Sequence, residues 1–152
     1  SNFNQPLPRN LRIARVDGSV RFLSDELFEE CVSLEEVIFE EGVHSIGKLA
    51  FFNCIALTKV KLPSTLRQIL GQAFFSCYGL CSIELPLGLQ VIGDQAFSNT
   101  DLRHLEVPAT VERIGEFAFE SCRQLEFAVL PPRLVMIAEG LFSDCCQLRE
   151  IR

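Results

Sequence analysis

The chain has 152 residues, 48% hydrophobic and 22% charged, a globular composition that excludes a disordered polar segment. Its net charge of −6 provides no basic face for nucleic acid, and no apolar run approaches the ~20 residues that span a bilayer. Neither nucleic-acid binding nor membrane insertion is expected, and the seven cysteines, being odd in number, cannot all pair internally.

Residues 1–10, SNFNQPLPRN, lack the charged and apolar stretches of a signal peptide. With Phe3 and two prolines they are expected to serve as a lead-in that lies over the first coil as a partial cap. From there the chain repeats itself. Leu11, Leu34, Leu57, Leu80, Leu102, Leu125 and Leu148 open units of 23 residues, except that the unit 80–101 has 22. The repeats are 11–33, 34–56, 57–79, 80–101, 102–124 and 125–147, with a partial one at 148–152, and together they predict one solenoid over 11–152.

Each unit predicts the same elements in the same order. Apolar residues recur at position 4 (Ala14, Val37, Val60, Ile83, Leu105, Ala128) and position 6 (Val16, Phe39, Leu62, Leu85, Val107, Leu130), which predicts a short strand with even positions inward. Pro63, Pro86, Pro108 and Pro131 end that strand, because proline cannot donate to a ladder. A second extended piece is expected around positions 11–13, ending on Leu23, Ile46, Ile69, Ile92, Ile114 and Ile137. The phrases IGKLAFFNC (46–54), ILGQAFFSC (69–77), IGDQAFSNT (92–100) and IGEFAFESC (114–122) then predict a helical turn. It carries an invariant phenylalanine at position 18 (Phe28, Phe51, Phe74, Phe97, Phe119, Phe142) into the interior. One such unit buries too little to fold alone; stacking supplies the shared core.

The pattern L-x-x-[VI]-x-[LV]-P-x-x-[LV]-x-x-I-G-x-x-A-F-x-x-C resembles the BspA-type leucine-rich repeat family over residues 11–152. The resemblance implies a right-handed repeat solenoid, with a parallel strand ladder on one face and short strands and helical turns on the others. It also implies use in binding proteins or surfaces. Departures are Ser24, Leu70 and Ala138 in place of the glycine, Thr100 in place of the cysteine, and Asp17 and Glu40 in place of the proline. Position 9, where an asparagine ladder would stand, holds Ser19, Gly42, Thr65, Gly88, Thr110 and Arg133.

Chemistry is sparse. The two histidines, His44 and His104, fall at different positions of the repeat and are not expected to converge, so no catalytic set is predicted and the chain is read as a non-enzyme. The cysteines at position 21 have no paired metal-ligand spacing; Cys54, Cys77 and Cys122 are expected reduced and buried, Cys81 and Cys146 exposed. No cofactor or metal is expected. The acidic stretch 25–41 reads as a solvated face, with a docking patch for a basic partner as the alternative.

Positions 3 and 5 of the strands point outward, and along the stack they offer Ile38, Lys59, Lys61, Glu84, His104, Glu106, Phe127 and Val129 as candidate binding residues. Phe127 and Val129, apolar on adjacent outward positions, are the sharpest feature. The function expected is a non-catalytic module binding a protein or cell-surface macromolecule, the alternative being a structural spacer in a longer array. The chain stops one strand into a seventh unit, so it is expected either to be an excerpt or to pair with a second copy through Leu148 and Ile151.

Overall fold

Side chains alternate across a strand, so a rung with apolar residues at positions 4 and 6 seals one side of a coil. The computed structural model, which describes residues 7–152, is a parallel β-solenoid of about six turns with no helix among those residues. Phe3 lies outside the described residues; Leu7 packs against the core. In chain order the strands are β1 (Ile13–Val16), β2 (Phe22–Leu23), β3 (Glu36–Phe39), β4 (Ser45–Ile46), β5 (Lys59–Lys61), β6 (Gln68–Ile69), β7 (Val91–Ile92), β8 (His104–Glu106), β9 (Arg113–Ile114), β10 (Phe127–Val129) and β11 (Glu150–Ile151). The second extended pieces of the first five repeats form a continuous parallel sheet, β2-β4-β6-β7-β9. Position 13 pairs with position 13 throughout it, Ile46 with Ile69 and Ile92 with Ile114.

The strand face is not continuous. It comprises β1-β3-β5 and, separately, β8-β10-β11, because Ser82–Leu85 forms no rung between them. Elsewhere the alternation is as expected, inward Ala14, Val37, Leu105 and Ala128 being buried.

The third side departs from the expected helical turn. Positions 16 and 20 are left-handed in every coil, as at Leu49 and Asn53 (both φ 57°), and two such residues per turn are incompatible with a helix. The backbone turns outward to its neighbours instead. Leu49 N–H donates to Gly71 O (3.1 Å), Phe51 to Ala73 (2.8 Å) and Asn53 to Phe75 (2.9 Å), so this side is another inter-coil ladder. A left-handed conformation costs a residue with a Cβ about 1–2 kcal/mol, which the ladder offsets.

In-register stacking places phenylalanine on phenylalanine. The rings of Phe28, Phe51, Phe74, Phe97, Phe119 and Phe142 succeed one another at 5.1, 5.1, 5.2, 5.5 and 6.0 Å. The members from Phe51 to Phe119 are fully buried, whereas Phe142, expected in the same buried spine, is half-buried. Threonine takes the part of an asparagine ladder: Thr65 Oγ1 accepts from Gly42 N–H (2.9 Å) and donates to Val43 O (2.8 Å). Thr110 Oγ1 likewise sits 2.7 Å from the carbonyls of Leu87 and Leu89.

Ile137 does not join the core column; it is 67% exposed, beside Val135 at 97% and Met136 at 75%. Two departures from the repeat bracket this stretch. Ala138 stands where Gly93 and Gly115 lie so close to the preceding coil that a Cβ would meet backbone nitrogens at 2.5 and 2.4 Å. Leu70 also lacks the glycine yet keeps its bond to Ile46 O (3.0 Å), and its coil carries the Thr65 tie. The coil of Ala138 has Arg133 there, with no hydroxyl to tie it down.

This packing makes two outcomes measurable. Phe97→Ala should cost about 3–5 kcal/mol in urea denaturation, since a cavity in a stacked column cannot collapse. The pair Arg133→Thr with Ala138→Gly should draw Met136 and Ile137 onto β9, seen as new protection of their amides in hydrogen exchange.

Candidate functional site

The strand face gathers the candidate residues into two groups. β3 and β5 pair Glu36 with Lys59 and Ile38 with Lys61; Ile38 is half-buried and both lysines are exposed. β8 and β10 pair His104 with Phe127 and Glu106 with Val129. His104 and Glu106 are exposed, Phe127 and Val129 half-buried. Glu84 belongs to neither group and stands exposed on the unpaired rung between them. Phe127 is flanked on its other side by Arg152, whose guanidinium lies 5.0 Å from the ring centre and whose Nε donates to Glu150 Oε1 (2.6 Å). It is thus partly covered by the next rung, with a cation on its face.

Two clefts flank the unpaired rung, one of about 890 Å3 toward β5 and one of about 510 Å3 toward β8. Both include Leu87, which is 82% exposed. Leu87 is not among the candidates read from sequence, although a signal for it exists. It occupies position 8, a surface position held elsewhere by Gly18, Glu41, Ser64, Ala109 and Pro132.

The acidic stretch divides by role. Glu35 takes Arg12 in a two-point bond (3.0 and 2.9 Å), which holds its carboxyl below the usual range. Glu41 accepts from Ser64 N–H (3.0 Å) and Oγ (2.8 Å), and these bonds hold its carboxyl low as well. Asp25 accepts from Lys48 N–H (2.7 Å). These three tie one coil to the next, whereas Glu26, Glu29, Glu30 and Glu40 face solvent.

The two histidines serve different surroundings: His44 Nδ1 lies 2.6 Å from Gly42 O in a turn, and His104 stands on the open strand face. The position-21 thiols are core donors. Cys54 Sγ donates to Phe28 O and Cys77 Sγ to Phe51 O, both at 3.1 Å, and Cys122 Sγ to Phe97 O at 3.3 Å. Each bond satisfies a carbonyl of the preceding coil's phenylalanine. Burial pushes the Cys54 thiol up to about 12 and the Cys77 thiol well above its ordinary value. Cys81 and Cys146 are exposed.

Parallel coils with a leucine opening each one and a strand on one side define a leucine-rich repeat solenoid. The chain belongs to the BspA-type leucine-rich repeat family: the BspA type leucine rich repeat region matches it in six copies, over residues 9–126 and 50–152. It is similar to the structure of a leucine-rich repeat protein of T. pallidum, at 37% identity and a TM-score of 0.84, covering 86% of this chain and 61% of that one. A leucine-rich repeat protein from Bacteroides ovatus is 36% identical with a TM-score of 0.80, over 85% of this chain and 34% of its own. A leucine rich cell surface protein from Faecalibacterium prausnitzii is 25% identical with a TM-score of 0.61, over 78% and 38%. The chain therefore spans less than two thirds of each of these proteins. No curated protein matches it.

The thiol chemistry sets a measurable order. A thiol reagent should modify Cys81 and Cys146 before any buried thiol of the native chain. The unfolded chain ionises its thiols near pH 9, whereas folded Cys54 stays protonated until about 12. Its contribution to stability is therefore complete below pH 9 and lost as pH rises from there toward 12. Urea denaturation should show stability falling across that window, and Cys54→Val should reduce the slope by about 1.4 kcal/mol per pH unit, Cys77 keeping its own share.

Proposed function

We propose that this chain is a non-catalytic binding module that presents its strand face to a protein or cell-surface macromolecule. The observation that carries the reading is the grouping on β8 and β10: Phe127 and Val129 stand outward in register with His104 and Glu106. Apolar side chains among charges on an otherwise solvated sheet are the composition of an interaction surface, and aromatic residues anchor such surfaces most often. The Arg152 cation over Phe127 pre-orders the ring. The similar Faecalibacterium protein described as a cell surface protein is consistent with an adhesion-like role. A spacer role within a longer array is the second reading, favoured by the greater length of the similar proteins.

Capture from source lysate separates the two. The chain as it stands should retain a partner that a Phe127→Ala, Lys61→Ala variant loses, with both proteins showing the same thermal midpoint. Equal capture by both, or none by either, would favour the spacer.

A further inference from the structure

We infer that the corner where the turn side of the first three coils leads back to the strand face is a docking ridge for an amphipathic α-helix of a partner protein. The helix lies along the stack, with basic residues flanking its apolar stripe. This surface is separate from the pairing on β8 and β10, and the two readings stand or fall independently.

The first ground is a row of exposed apolar side chains. Position 22 holds Val32, Ile55 and Tyr78 in three successive coils, 42%, 47% and 51% exposed. Glu30 N–H donates to Phe52 O (2.8 Å), Asn53 N–H to Phe75 O (2.9 Å) and Gly79 N–H to Ile55 O (3.2 Å), so the coils keep register around that position and the three side chains stand in line. At position 19 of the same stretch the half-buried rings of Phe52 and Phe75 stack at 5.3 Å. The row ends at Asp101, and position 19 turns polar in the flanking coils, at Glu29 and Ser98. One exposed apolar residue needs no explanation, whereas a contiguous patch with a polar rim marks an interaction surface.

The second ground is spacing. The coils step at 5.1 Å here. Side chains at i, i+3 or i+4, and i+7 form one stripe of an α-helix, and seven residues rise about 10.5 Å. That is close to two coil steps, so three anchors of a helix laid along the stack meet Val32, Ile55 and Tyr78 in turn. In an extended strand the residues of one face recur at about 6.7 Å and fall out of step with the row. The helix rests on the outer surface, and no coil has to part from its neighbour.

The third ground is charge. Two clefts at the Val32 end, of about 370 and 240 Å3, are lined by Glu26, Glu29 and Glu30, with Arg9 as their one cation. The three carboxylates are exposed, and none makes an ion pair among the described residues. Asp101 adds a further negative charge at the Tyr78 end. This excess selects lysine or arginine beside the apolar stripe, and it disfavours an anionic lipid surface.

The test pans the chain as it stands against two display libraries, one of a rigid α-helix randomised over one face and one of unstructured dodecapeptides. Enriched sequences are mapped by amide shift perturbation. The helix library is expected to yield apolar residues at i, i+4 and i+7 with Lys or Arg beside them, perturbing residues 29–32, 52–55 and 75–78. Ile55→Arg and Tyr78→Arg should each weaken that binding about tenfold or more, and Glu29→Lys with Glu30→Lys should weaken it as well. Gln68→Arg, on β6 at another side of the coil, should leave it unchanged, and all these variants should keep the thermal midpoint of the parent chain. Enrichment of extended peptides alone, helices without basic flanks, or helices that bind Ile55→Arg as well as the parent would overturn the ridge. A footprint on Phe127 and Val129 would also overturn it, while supporting the strand face.

Discussion

Each coil of this protein satisfies its backbone on the next one, and the rest of the structure depends on that constraint. A 23-residue turn with no helix and no hairpin closes only its tight turns within itself, such as Phe52 N–H to Leu49 O (3.0 Å), so the strand segments and alternate N–H groups of the third side bond along the stack. Bonding in register then fixes which residues meet. Ile46 lands on Ile69, Phe51 on Phe74 and Cys77 beneath the carbonyl of Phe51. A side chain that suits one coil must suit its copy at about 5 Å, which is why the chain keeps writing the same phrase.

The same constraint explains which parts are legible in the sequence. Positions 4, 6, 13 and 18 are set by burial, and burial leaves a periodic signature that residue type reveals. The third side misleads because spacing of three and four residues from Gly47 to Ala50 to Cys54 suits a helical turn as well as this tight one. What decides between them is backbone handedness at Leu49 and Asn53; leucine gives no sign of it, and the only signal is the asparagine, aspartate and glycine at Asn53, Asn99, Asp144 and Gly140, types that favour the left-handed region. Of the candidate site, the two pairings on β8–β10 and β3–β5 come from register alone. The lost rung does not. Ser82–Ile83–Glu84 has the same outward–inward–outward order as Lys59–Val60–Lys61, and only the neighbouring Leu87, apolar at a surface position, marks the place.

That a rung can be lost at all says how the labour is divided. The coil of Ser82–Leu85 remains seated because its other sides are fully bonded: β6, β7 and β9 pass through it without interruption, and Phe74 N–H reaches Ala96 O at 2.8 Å. Its phenylalanine, Phe97, stays fully buried between Phe74 and Phe119. The shortening to 22 residues is absorbed away from the strand face, at the corner after position 20. There Thr100 Oγ1 donates to Phe97 O of its own coil (2.9 Å) in place of a cysteine reaching to the coil before. Two sides therefore hold the stack, and the strand side can depart from the repeat without unseating it. In a protein whose every coil is bound to copy its neighbour, that is the side on which one coil can differ from the next, and where recognition has room to develop.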